Sequence, residues 1–335
     1  MNNKEAKYKK FALVEEMLEA PGIIKNFRAK SLEKPVKSIK KTKKLFLTGE
    51  GSSRIFPAKN MIYNALKNNS GLAIYTEGAR QAAELNLKDY VLFAASNSGK
   101  TREVISLFKT TKAYSKFVLT ENKNSLLKNL SNGTFILNCG EEKAISATKS
   151  VIEEALFYHN LLYALNGKNI HKNALDELSK KASKVLEMKI GRKIASKVSK
   201  AKVLYFAGRN NGVAEEAALK ANEITRKKSC YLEGTYAVHG TEEAMDKSEA
   251  AIVIEPFKEE EKKFKEALIN GVGMHVIAIS ARKTLFPTIK IPSMPGYDGY
   301  LQLLACWNLL VETGISLGIN IDKPKRARKI GNELK

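Results

Sequence analysis

The sequence predicts two doubly wound, parallel-sheet α/β domains in tandem, preceded by an N-terminal helical segment. Three observations predict this. Short apolar runs alternate with helical patterns, the rhythm of a parallel sheet covered on both faces. The rhythm restarts near residue 203. The turn Gly49-Glu50-Gly51-Ser52-Ser53 after the first run also returns as Gly208-Arg209-Asn210-Asn211-Gly212, an offset of 159 residues, which is about the size of one α/β domain.

In chain order, residues 4–29 read as one or two helices. Ala12, Leu13, Met17 and Leu18 recur near helical spacing, and Pro21-Gly22 breaks the run. Ser31–Lys44 reads as a linker. Strands are expected at Leu45–Thr48, Leu72–Tyr75, Tyr90–Ala95, Lys116–Thr120 and Thr134–Asn138, with a long helix from Lys149 to Leu165. In the second half, strands are expected at Val203–Ala207, Ala251–Ile254, His275–Ile279 and Thr288–Ile291. Helices are expected from Val213 to about Lys227 and from Tyr300 to Leu317. The predicted division is a helical segment and linker at 1–40, a first domain at 41–170 and a second at 171–335.

Composition narrows the function. The chain lacks an uninterrupted apolar run of about 18 residues and an apolar core near its start, so neither a membrane nor a secretory signal is expected. Cys139, Cys230 and Cys306 are spaced for neither a disulfide framework nor a metal, and they read as reduced thiols of a cytoplasmic protein. The net charge of +22 raises the question of nucleic acid. The lysines are scattered, densest from Lys34 to Lys44, with no helix-turn-helix, zinc-finger or base-stacking motif beside them. An anionic small substrate accounts for the charge as well, and no nucleic-acid partner is expected. No dinucleotide fingerprint or metal-ligand cluster is visible, so no cofactor is expected.

The segment Tyr90–Thr101, YVLFAASNSGKT, carries the chemistry. A buried strand feeds a hydroxyl-rich turn at the start of a helix, where free amides and the helix dipole favour an anion. Residues 94–101 satisfy a loosened nucleotide-loop pattern, but Ala, Ser and Asn stand where such a loop needs glycine. The matching strand-end acid for magnesium is missing from this half as well. Side-chain hydroxyls suit a single phosphate monoester better. Gly51-Ser52-Ser53 and Ser146-Ala147-Thr148-Lys149 are further hydroxyl groups at helix starts. Each alone is ordinarily an N-cap. Together they converge where parallel sheets bind ligands.

Five patches resemble the double sugar-isomerase (SIS) family across residues 40–335: GEGSS at 49–53, SNSGKT at 96–101, SATK at 146–149, ALKANEI with VHGTEEAMD at 218–224 and 238–246, and DKPKRARK at 322–329. The chain is similar to the isomerase half of glucosamine-6-phosphate synthase, to glucosamine-6-phosphate deaminases and to fructosamine-6-phosphate deglycases. The resemblance implies flavodoxin-like domains and phosphate or substrate contacts at Ser53, Ser96, Asn97, Ser98 and Thr101, with Ser146 and Thr148 from the third group. The family usually reads Ala-Ser-Thr-Lys there, so Ala147 loses a hydroxyl unless Ser146 compensates. The resemblance assigns catalysis to Glu223, sixteen residues before His239-Gly240, and to Lys329, seven after Asp322. The family often has Pro where Thr241 stands, and an acid where Lys100 stands.

The implied chemistry uses Glu223 to shuttle a proton between C1 and C2. His239 assists ring opening, and Lys329 assists opening or forms a transient imine. The expected activity is of the glucosamine-6-phosphate deaminase type. The alternatives are fructosamine-6-phosphate deglycation and a non-catalytic sugar-phosphate-binding regulator. With the first strand near Leu45, no glutaminase domain is expected ahead of it. Because the matching His comes from a neighbouring subunit in the resembling enzymes, a homodimer with a shared active site is expected.

Overall fold

The computed structural model describes residues 1–28 and 30–327. The chain forms two compact units. One comprises Gly22–Glu142 and Ala147–Glu177; the other comprises Met1–Pro21, Lys143–Ser146 and Leu178–Ala327. The first two helices are α1 (Ala6–Lys9) and α2 (Ala12–Asn26).

The first sheet is built from β1 (Lys44–Gly49), β2 (Ala73–Gly78), β3 (Val91–Ala95), β4 (Ser115–Thr120) and β5 (Gly133–Ile136). Its order is β2-β1-β3-β4-β5, with every pair parallel. The helices of this unit are α3 (Glu33–Thr42), α4 (Ile55–Lys67), α5 (Ala79–Ala82), α6 (Arg102–Thr110) and α7 (Lys149–Ala164). Strand β3 shows why its sequence is a continuous apolar run. Leu92 and Ala94 pack with Val104, Leu107 and Phe108 of α6. Phe93 points the other way, its ring 5.0 Å from Phe117 and 6.0 Å from Phe157 and Tyr158 of α7. Both faces are covered, so alternation disappears.

In the second unit, helices α8 (Lys172–Glu187) and α9 (Arg192–Lys200) lead into β6 (Val203–Gly208). There follow α10 (Val213–Thr225), β7 (Lys228–Glu233), β8 (Ala250–Ile254), α11 (Glu261–Phe264), β9 (His275–Ser280), β10 (Thr288–Lys290) and α12 (Asp298–Ser316). The sheet runs β7-β6-β8-β9-β10, again all parallel. Taken from first strand to last, this is the same order as in the first sheet. One core layer gathers Ala207, Val253, Phe264, Leu268, Val276 and Phe286. The two doubly wound parallel sheets match the predicted fold class.

Three local expectations differ from the structure. Pro21 lies inside α2 instead of ending a helix. An interior proline costs about 3 kcal/mol. Here Leu13, Met17 and Ala20 are fully buried on the same helix, and Ser179 Oγ donates to the Pro21 carbonyl at 2.7 Å, so tertiary burial outweighs the local cost. The expected linker contains α3, whose buried Pro35 and Ile39, with the buried N-cap residue Leu32, lie at helical spacing beneath an exposed lysine face. Strand β7 was not anticipated. It is an edge strand of sequence KSCYLE, exposed or half-buried throughout, so it lacks an apolar signature.

Candidate active site

In the first sheet the chain departs from β1 and β3, which are adjacent, toward opposite faces. Their carboxyl ends therefore flank the topological switch point, where such sheets bind ligands. The two turns there are 49–53 and 96–101. They lie close together: a Cβ on Gly49 would sit 2.8 Å from the Ala95 carbonyl oxygen. Ser52 is buried and Ser53 half-buried in the single 3-10 turn that opens α4.

The 96–101 turn is anchored by its carbonyls. The Ser96 oxygen accepts from the Gly99 amide at 2.9 Å. The Asn97 oxygen accepts from Thr120 Oγ1 and the Glu121 amide, both at 3.1 Å. The Ser98 oxygen accepts from Asn122 Nδ2 at 3.0 Å, and the Gly99 oxygen from Ser125 Oγ at 2.6 Å. The four carbonyls from Ser96 to Gly99 are thus engaged, and Ser98 Oγ accepts from the Lys100 amide at 3.2 Å. Buried Ser96 and the N-cap residue Thr101 pair through their hydroxyls at 2.9 Å. Thr101 gives α6 no side-chain cap, so the first-turn amides of that helix are not closed by their own N-cap. Ser98 is exposed, and the buried Asn97 Oδ1 has no hydrogen-bond partner among the described residues. Gly99 is required here. Its φ is +65°, and a Cβ would lie 2.5 Å from Ser125.

The second sheet has the same topology but a different switch point. Where Ser96 follows β3, Glu255 follows β8, with φ +46°. Its carboxylate accepts from Ser280 Oγ at 2.9 Å and from the Ala281 amide at 3.0 Å. Arg209 donates to the Glu255 carbonyl and lies 4.3 Å from the Phe257 ring centre. Arg282 pairs with Glu255 and Glu261. A fixed carboxylate repels an anion at the position where the first sheet offers a hydroxyl.

Helix α10 carries the candidate proton-transfer group. Glu216, Lys220 and Glu223 lie at i, i+4 and i+7 and so share a face. Lys220 is fully buried, with its Nζ 3.4 Å from Glu216 Oε1 and 2.9 Å from Glu223 Oε2. Ser146 Oγ donates to the same Glu223 Oε2 at 2.6 Å. Sequence reasoning singled out Glu223 and missed the lysine and acid below it. Their signal was the spacing in EEAALKANE, which also reads as ordinary helix-surface charge until burial is known.

The hydroxyls of the third group separate. Ser146 reaches Glu223. The Thr148 amide and Oγ1 donate to Glu142 Oε1 at 2.7 and 3.3 Å, and Ser150 Oγ donates to Glu142 Oε2 at 2.7 Å. Glu142 thereby caps α7. His239 follows β7 on an exposed turn, its Nε2 3.2 Å from Lys263 Nζ. No hydrogen bond or ion pair joins it to Glu223 among the described residues. Lys329 lies outside the described residues.

No family model matches the chain. Glutamine–fructose-6-phosphate aminotransferase (isomerizing) of Buchnera aphidicola is 26% identical over 275 residues, which is 72% of this chain and 43% of that protein. The chain therefore aligns with less than half the length of that relative. The structure of tagatose-6-phosphate ketose/aldose isomerase from Escherichia coli superposes with a TM-score of 0.80 at 15% identity, covering 97% of this chain and 98% of that one. Glucosamine-6-phosphate deaminase from Thermotoga maritima superposes at 0.70 with 19% identity, covering 97% and 99%. No helix among the described residues is long and apolar enough to cross a membrane. The chain is thus a homologue of the isomerising aminotransferase, with the fold of the double sugar-isomerase (SIS) proteins.

Proposed function

We propose that the protein moves a carbonyl between C1 and C2 of an amino-sugar 6-phosphate and releases the amine, as a glucosamine-6-phosphate deaminase does. The observation that carries this reading is the Glu223 carboxylate, held by a buried lysine and a buried serine on a chain homologous to an isomerising aminotransferase. The hydroxyl turn at 96–101, with Ser53, supplies the phosphate anchor. Such an anchor uses binding energy remote from the reacting carbons to orient them.

In this reading His239 opens the sugar ring and Lys329 assists. Glu223 takes the C2 proton. The C–H electron pair forms the C1–C2 double bond, and the C1 oxygen gains a proton to give an enolamine. Glu223 returns its proton to C1, the nitrogen lone pair forms an iminium at C2, and water releases ammonia and the ketose phosphate. We further propose a homodimer in which His239 serves the neighbouring subunit's site.

The test is product analysis with the full chain. Ammonia and fructose 6-phosphate from glucosamine 6-phosphate are the expected outcome. Release of an amino acid from a fructosamine 6-phosphate instead identifies a deglycase. Binding of both sugars with turnover of neither leaves a sugar-phosphate-binding regulator and overturns the enzymatic reading.

A further inference from the structure

We propose that Ser146 is the positioning residue of the Glu223 base: by occupying Oε2 together with Lys220, it selects Oε1 as the oxygen that exchanges the proton with substrate. This deepens the reading above and rests on it. Oε2 receives the Ser146 hydroxyl at 2.6 Å and the Lys220 ammonium at 2.9 Å. Among the described residues nothing donates to Oε1. A carboxylate oxygen offers two lone-pair directions, and those of Oε2 are both taken, one by a charge-assisted donor. A proton arriving at Oε2 would have to displace a donor. At Oε1 it displaces none.

The two donors are buried, Ser146 at 1% and Lys220 at 0% exposure, whereas the Glu223 side chain keeps 21%. The carboxylate is therefore held from the protein interior while part of the side chain remains reachable. Ser146 is in turn fixed by its backbone neighbours. The Ile145 amide donates to the Asp322 carbonyl at 3.2 Å, and the Ala144 amide to Glu16 Oε1 at 3.1 Å. The Asp322 carboxylate receives the Ala12 and Leu13 amides at 3.0 and 2.8 Å, which ties the segment to the start of α2. A hydroxyl delivered by so many bonds loses little entropy in holding its acceptor.

A donor that only orients the base changes the chemical step and leaves sugar-phosphate binding alone. The experiment compares Ser146→Ala, Ser146→Thr and Ser146→Cys with Glu223→Gln, using glucosamine 6-phosphate and its C2-deuterated form. For Ser146→Ala, kcat is expected to fall about ten- to a hundredfold, the loss of one hydrogen bond to a charged group, with KM within about twofold. The deuterium isotope effect on kcat is expected to rise as proton transfer becomes more limiting. Ser146→Thr, which keeps the hydroxyl, restores most of the rate. Ser146→Cys, nearly isosteric with a weak donor, falls between them and carries the comparison if the alanine variant does not fold. Turnover surviving in Glu223→Gln overturns the underlying reading. Turnover lost in Glu223→Gln but unchanged in kcat and isotope effect for Ser146→Ala, or a threonine variant no better than alanine, overturns the role of Ser146 alone.

Discussion

At the scale of single residues, the α10 cluster lets a stabilising role be separated from the proposed catalytic one. Lys220 is buried with one partner, Glu216, also fully buried, and the other, Glu223, partly exposed. Removing the lysine leaves carboxylate charge in the interior without its counter-ion, which costs about 3–5 kcal/mol. Lys220→Met is therefore expected to lower the urea midpoint strongly, and adding Glu216→Gln to recover part of the loss. Glu223→Gln keeps the shape and both donors' proximity, so its stability should change little. Its kcat should drop by about 10²–10⁴-fold, the usual contribution of a positioned acid–base group. Equal loss of stability in both variants would make the cluster purely structural. The sequence made Glu223 visible through its spacing to His239. It could not show that Ser146 faces Glu223 while Thr148, two residues on, turns to Glu142. That depends on the segment 143–146 being bonded to Glu16 and Asp322, which are remote in sequence.

At the scale of elements, the proposed phosphate turn is a piece of backbone geometry before it is a set of hydroxyls. Gly99→Ala forces a left-handed residue to carry a Cβ into Ser125 and Thr120. It is expected to cost about 1–3 kcal/mol of stability and to weaken sugar-phosphate binding more than tenfold by calorimetry. Ser98→Ala, on an exposed residue of the same turn, removes one donor and should weaken binding less than Gly99→Ala does. Helix α7 gives an element-level pH dependence. His159 is buried there, and burial pushes its pKa down to about 4. Above pH ~6.5 the imidazole is neutral whether folded or unfolded and contributes no slope. Below that, the unfolded chain takes the proton first, so stability falls as pH drops from ~6.5 towards ~4, by on the order of 3 kcal/mol. Replacing His159 with Gln should flatten that part of the urea-stability profile. An unchanged slope would mean that other groups supply it. Elements with buried faces were legible in the sequence: β1, β3, β4 and β8 are apolar runs because both sides are covered. Strand β7, at an exposed edge, and α2, which runs through Pro21, depend on neighbours that no local window contains.

At the scale of the whole molecule, the same strand order occurs twice, and the turns after the third strand of each sheet differ: paired hydroxyls follow β3, whereas the bonded Glu255 carboxylate follows β8. In the proposed reading the 96–101 turn is the phosphate anchor and helix α10 carries the Glu223 base. The other proposed acid–base group, His239, is exposed and bonded to Lys263 instead of Glu223. If it completes the neighbouring subunit's site, as proposed, the protein is a dimer by light scattering and two inactive variants should complement. Glu223→Gln and His239→Ala are each expected to be nearly inactive. Unfolded together at equal concentration and refolded, random pairing makes half the dimers mixed, and each mixed dimer has one site with both groups intact. About a quarter of wild-type activity should return, from the two-fold symmetry of the assembly. If both groups act within one chain, no mixed dimer contains an intact site and the mixture stays inactive. A monomer in solution, or a mixture no more active than its parts, removes His239 from the shared site.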